Sequence, residues 1–417
     1  REPYSALMPR YDLADEERDI QIGYLKTLST EPGPGVTERE IHLATVVADS
    51  RDPTTRKAVL DLSEAFIDQK TIETRNESRR AEHAPWHKEW VFAPYRKWVL
   101  HVWTLEGPPA SWPAQLERQY AQQPVFAVLG GAAPGRWQAV HDFCEYNQVP
   151  CLFPDTDLPV IEEGSFYSVY LNQGMTLEAD TIARHLSGGA LLSRPVVQVY
   201  RADDPRGQAA AAGFRSRIRR HGGGVTDLAV TDAFVFTDEF WRTMADENAG
   251  GTAVLWLGQP DAAGLFQSGA SRHLGRIYLS STLYGLKPGV IPPADWTQVF
   301  VVHPYEVPGR LPRLLARSTG WLKAKRIYEP DARREQANAF FALKMGGGAL
   351  KAMGGYFVRD YLLENIEHMV DNASYTSIYP RVSLAPGQRF VSKGSYITQW
   401  PEKGQVRLTP VSDWIVP

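Results

Sequence analysis

Two rhythms of apolar residues alternate along this chain. Short dense runs of strand length fall at Ile41–Val47, Trp98–Leu105, Val125–Leu129 and Pro150–Phe153. Between them, apolar residues return every three or four positions, as in Val59, Leu62 and Phe66, which predicts helices over 54–69, 112–122 and 134–147. The order strand, helix, strand, helix, strand, helix, strand predicts a doubly wound parallel sheet.

The pattern then restarts. Strands are predicted at 195–200, 225–230, 253–257, 276–280 and 297–303, with helices at 205–220, 237–247 and 260–270. Gly222, Gly223 and Gly224 end the first of these helices. Residues 331–370 read as helical, interrupted at Gly346–Gly348 and at Gly354 and Gly355, and 378–417 as strands and turns. Residues 1–30 stand apart. Acids early and Lys26 late suit a helix dipole, and Pro32 to Gly35 make a linker. Ligands of open α/β sheets bind outside the strand carboxyl ends, so two such units predict a shared crevice.

Composition narrows the reading. The 417 residues carry 45 basic and 48 acidic side chains, net charge −3, which speaks against a nucleic-acid partner. No apolar run reaches the roughly 20 residues of a membrane span. Gly-rich runs lack the Lys-Ser/Thr of a phosphate loop, and no Gly-x-Ser-x-Gly elbow occurs. With no nucleophile–base pair at recognisable spacing, the chain reads as a binding protein and not an enzyme. His83 and His87 have the spacing of a helical metal pair, but Pro85 argues against a helix, so no metal site is expected. Cys144 and Cys151, a helix end and the next strand, fit either a disulfide or two buried thiols; in a secreted protein the bridge is the expectation.

Local wording adds a resemblance. The segments Gln123–Gly131, Val149–Thr156, Phe166–Tyr170 and Val196–Gly224, in that order, resemble the type I periplasmic binding proteins of amino-acid and amide ABC importers. From about residue 37 onward the order and spacing fit that family. The resemblance implies two α/β lobes joined by a multi-strand hinge, here 34–160 with 285–375 and 161–284 with 376–417, after an amino-terminal unit at 1–33. Crossings are expected near 157–165, 284–290 and 375–380. It implies a periplasmic protein that closes on a small organic ligand, an organic or aromatic acid or an amino-acid-like compound, and that serves an ABC permease. Residues 70–96 depart from the family, as a charged, Trp-containing insert.

Candidate ligand contacts are the residues that follow strand ends. In the first lobe these are Gly131, Ala132, Arg136, Trp137, Asp155 and Thr156; in the second, Tyr200, Arg201, Asp203, Gln259, Thr282 and Tyr284. Backbone amides at 131–135, at an expected helix start, would hold a carboxylate with help from Arg136 or Arg201. Trp137 and Tyr284 would stack on a flat ligand.

Residues 4–28 resemble something else, the end of a class I cytochrome c, through Met8-Pro9 and Ile22–Lys26. The chain has no Cys-x-x-Cys-His, so no cofactor is expected in it. Met8 would ligate haem only in a longer protein. That resemblance implies an alternative function, a ligand sensor fused to a cytochrome and linked to periplasmic electron transfer.

Overall fold

The computed structural model describes residues 14–27, 31–49, 52–82, 96–187, 194–372, 377–385, 387–401 and 407–417. Met8, His83 and His87 lie outside them. The described part opens with helix α1 (Asp15–Thr27), acidic in its first turn. The chain then builds β1 (Glu40–Ala48), α2 (Pro53–Glu82), β2 (Lys97–Leu105), α3 (Trp112–Gln122) and β3 (Ala127–Leu129). There follow β4 (Ala132–Arg136), α4 (Gln138–Tyr146), β5 (Cys151–Leu152), β6 (Asp155–Leu158) and β7 (Ser168–Val169).

All pairings in this first sheet are parallel. β2 flanks β1 on one side; β3 and β4 follow one another on its other side. β5 lies on β3 and β6 on β4, so β3 with β4, and β5 with β6, each behave as one strand broken in the middle. Burial follows the pleat. Ile41 and Leu43 face the core beneath α2, while Ala44 and Val46 face the core beneath α3 and α4.

The second sheet collects α5 (Gly174–Ser187), β8 (Val196–Arg201), α6 (Pro205–Arg220), β9 (Thr226–Val230), α7 (Asp238–Glu247) and β10 (Thr252–Trp256). To these it adds α8 (Gln259–Gln267), β11 (Arg276–Ser280) and β12 (Val299–His303). Strand order is β12, β11, β10, β8, β9, all parallel. Val197 and Leu255 point to the core under α7 and α8; Val254 and Trp256 point to the core under α5 and α6.

The chain returns to the first unit through α9 (Leu311–Leu314), α10 (Ala316–Ala324), α11 (Arg333–Ala352) and α12 (Arg359–Asn372). Phe340, Leu343 and Leu363 from α11 and α12 join the core under α2. Finally β13 (Tyr396–Gln399) and β14 (Thr409–Pro410) add an antiparallel edge to the second sheet. The fold class is thus the expected pair of doubly wound α/β units.

Several details differ from expectation. β7 still pairs with β5, and β12 with β11, so the crossings fall at about 170–174, 303–306 and 391–396 rather than at the expected positions. The strand expected to return to the first lobe at 299–303 belongs to the second, because its apolar face completes that sheet's core. Residues 132–136, expected to start a helix, form β4, which β1 and β6 flank. Helix α11 runs through Gly346–Gly348 without interruption. A side chain at Gly346 would meet Leu129 Cδ2 at 2.7 Å, so the glycine permits close helix–sheet packing rather than a break. Cys144 and Cys151 stand as free buried thiols, not a disulfide. Burial and the hydrogen bond to Cys151 push the Cys144 thiol well above its ordinary value, which disfavours the thiolate that bridging requires.

Candidate ligand cleft between the lobes

The first sheet breaks where it faces the second. At Gly130 and Gly131 φ is +63° and +102°, and a Cβ on Gly131 would meet the Val46 carbonyl at 2.5 Å. At Phe153 φ is +58°, a left-handed conformation rare for a bulky residue. Phe153 is held there by burial, packed 5.2 Å from the ring of Phe341. The turn swings Pro154 and the strand β6 out toward the second lobe.

There Asp155, Thr156 and Asp157 help line a small pocket. Asn172 and Gly174 from the first crossing, Thr282 from the loop after β11, Tyr305 from the second crossing and Tyr379 complete it. Tyr170 forms its floor, and its hydroxyl meets His141 Nδ1 at 2.9 Å. The cavity measures about 10 Å³, the room of about one water. Thr156 donates to the carbonyl of Gly135 at 2.9 Å, which ties the two broken strands together.

Both lobes and the hinge supply polar groups. Asn338 on α11 donates to Asp155 Oδ1 at 2.9 Å. Arg334, one turn earlier, stacks 5.7 Å from the Tyr305 ring and pairs with Glu335 at 3.0 Å. Asp157 meets Arg206 of α6 across the cleft at 3.6 Å, although Arg206 also forks onto Asp204 at 3.2 Å. Asn172 donates to the Tyr379 hydroxyl at 3.3 Å. From the second lobe, Thr282 donates to Glu178 Oε1 at 2.6 Å. Glu178 is fully buried on α5, and burial pushes its carboxyl up to about 7. His303, at the second crossing, is pushed down to about 4 by burial.

A second chamber of about 80 Å³ lies on the other side of Tyr305. Leu286, Leu311, Leu315 and Ile378 line it together with His303, Arg333 and Arg334. On the opposite flank a wider groove of about 480 Å³ runs between Arg136, Pro159, Gln173 and Gln208.

The architecture is that of a type I periplasmic binding protein. A fatty acid ABC transporter substrate-binding protein from Thermomonospora curvata matches over 93% of this chain and 95% of its own, with a TM-score of 0.57 and 17% identity. An ABC transporter solute-binding protein of R. palustris in complex with benzoate matches over 91% and 98%, with a TM-score of 0.60 and 11% identity. A branched-chain amino acid transporter substrate-binding protein of Streptococcus pneumoniae in complex with isoleucine matches over 91% and 100%, with a TM-score of 0.60 and 10% identity. No family model and no curated protein matches the chain by sequence. Nothing in these likenesses supports a cytochrome at the amino terminus.

The expected contacts divide sharply. Asp155, Thr156 and Thr282 meet in the hinge pocket. Gly131 and Ala132 are buried behind it, and the amides expected to greet a carboxylate belong to strand β4, not to a helix start. Trp137 is fully buried beneath Gly131 and packs in the core with Val140, because its ring gains more from that core than from solvent. Tyr284 is likewise a core residue, its hydroxyl donating to the Pro288 carbonyl at 2.9 Å. Arg201 is held bidentately by Asp261, both bonds 2.6 Å, and donates to the carbonyls of Thr231 and Asp232. Asp203 accepts from the Asp232 amide at 2.9 Å, Gln259 donates to the Lys287 carbonyl at 2.9 Å, and Tyr200 hydrogen-bonds Arg215. Arg136 is exposed on the outer groove.

Sequence reasoning missed Asp157, Glu178, Tyr305, Arg334, Asn338 and Tyr379. One signal was present. Gln336 and Asn338 are amides inside an otherwise apolar stretch of α11, and buried polar groups need a reason.

Proposed function

We propose that this protein is a secreted solute-binding protein. It captures a small organic molecule between its lobes, closes by hinge motion without covalent chemistry, and presents the closed form to an ABC-type membrane importer. One observation carries the reading: a pocket at the facing strand ends draws polar groups from lobe one (Asp155, Thr156), lobe two (Thr282) and a crossing segment (Tyr305). Such a site is complete only when the lobes close, so ligand binding and closure are the same equilibrium. Solved structures of the same architecture hold isoleucine or benzoate, which supports a ligand of that size.

Small-angle scattering with and without a low-molecular-mass extract, followed by native mass spectrometry, tests this. The expected result is a smaller radius of gyration and a bound small molecule released on denaturation. An unchanged profile and an empty chain would remove the proposal.

A further inference from the structure

Charge is spread unevenly along this chain. Between Val307 and Tyr328 stand six cations, Arg310, Arg313, Arg317, Lys323, Lys325 and Arg326, and no aspartate or glutamate. The whole chain carries a net charge of −3, so its acidic excess lies elsewhere. This basic segment forms α9 and α10 on the first lobe. Its apolar side, Leu311, Leu315 and Leu322, is buried in the core that α2 and α11 share. That anchorage leaves all six cations exposed on the outer side.

Arg310 meets Glu306 at 3.8 Å. The other five make no ion pair and no side-chain hydrogen bond among the described residues. Lys323 and Lys325 rest only on ring faces, Tyr328 at 5.3 Å and Trp321 at 5.8 Å. Local structure does not account for these charges. Arg317 sits in the first turn of α10, where the helix dipole favours anions. Arg326 holds φ +62° just past the helix end, a position that glycine fills at less cost. Lys344 on α11 extends the face. Burial, and after it the charges of Lys70 and Arg317, hold its ammonium below the ordinary value. Glu73 on α2, the acid beside these lysines, is already bonded to Lys70 and Gln69. Crowded like charges destabilise the free protein, and an external anion offsets that cost.

We infer that the α9–α10 face docks on an anionic phospholipid surface through Arg313, Arg317, Lys323, Lys325 and Arg326. The inference goes beyond solute capture and does not depend on what the cleft holds. None of the five lines a cavity described above, which favours a broad anionic surface over a small enclosed anion. Exposed cations on a helix suit a sheet of negative headgroups, where each adds attraction without a fitted contact. No helix among the described residues is long and apolar enough to cross a bilayer, so the contact is a peripheral one.

Co-sedimentation of the full chain with vesicles tests it. Vesicles of equal parts phosphatidylglycerol and phosphatidylcholine are compared with phosphatidylcholine alone, at about 0.05 M and about 0.5 M salt. The expected result is binding to the anionic vesicles at low salt, its loss at high salt, and none to the neutral vesicles. Arg317→Gln and Lys325→Gln each weaken it by about five-fold, and glutamine at all five positions abolishes it. Arg219→Gln with Arg220→Gln, equally exposed but on α6 of the second lobe, leaves it unchanged. Thermal melting checks that each variant is folded, and the single variants carry the test if the five-fold one is not. Absence of binding at low salt, equal binding to neutral vesicles, or single variants that bind as tightly as the parent overturn the inference. An equal loss in the α6 variant overturns it too, because net charge alone would then be the cause. Capture by immobilised polyglutamate without vesicle binding overturns it in favour of an acidic protein partner.

Discussion

The two lobes share a topology and differ in how their strands end. In the second, β8 and β10 run unbroken to their carboxyl ends, and the polar residues there are spent at home. Arg201 ends β8 on Asp261 and on its own lobe's carbonyls. In the first, β3 breaks at Gly130 and Gly131 and β5 at Phe153 and Pro154. The continuations β4 and β6 reach α6 of the second lobe, β6 also reaches α5, and Asp157 on β6 meets Arg206 there. Regular strands stabilise a lobe; broken ones spend backbone strain to place side chains between lobes.

The largest effect should come from filling a break. Gly131→Val puts a Cβ against the Val46 carbonyl at a φ of +102° and should cost about 3 kcal/mol or more in urea unfolding. Gly222→Ala, also at positive φ but with open space in the second lobe, should cost only about 1 kcal/mol. Equal costs would erase the contrast between the lobes.

A comparable effect should appear with pH. The Glu178 carboxyl is raised by burial from 4.5 to about 7, so the stability it contributes is full below about pH 4.5 and is lost as pH rises through 7. Glu178→Gln should therefore gain on the order of 3 kcal/mol over the parent between pH 5 and 8. Parallel melting curves across that range would show that Glu178 is ionised without penalty. His303 acts in the opposite direction. Its depressed value keeps stability above about pH 6.5 that is lost as pH falls through about 4.

A smaller cost should follow Arg201→Ala. Loss of the half-buried fork onto Asp261 should lower stability by about 1–2 kcal/mol, with ligand affinity unchanged. A large loss of affinity would return Arg201 to the binding site. The smallest effect belongs to Arg136→Ala and Asp203→Ala, both exposed, each within about 0.5 kcal/mol by thermal melting.

Much of the architecture was legible locally. Helices at Trp112–Gln122 and Pro205–Arg220 and the strand Arg276–Ser280 lie where apolar spacing predicts them. Helix α5 went unread although Met175, Ala179, Ile182 and Leu186 carry the helical period. β4 was unreadable for a different reason. Ala132 to Arg136 contains Pro134 and Gly135, which locally favour a loop, and only flanking by β1 and β6 makes it a strand.

From the sequence alone came two α/β units, the placement of most strands and helices, and three of the residues that meet in the cleft. These rest on short-range periodicity, which a linear chain displays directly. Tertiary structure alone decided that Asp155 meets Asn338, that Thr282 bonds Glu178, and that Tyr305 and Tyr379 pack against each other beside one pocket. It also decided that Arg201 and Trp137 serve their own lobes. A charge or ring takes the nearest partner in space, and for side chains about two hundred positions apart that partner exists only once the lobes have packed.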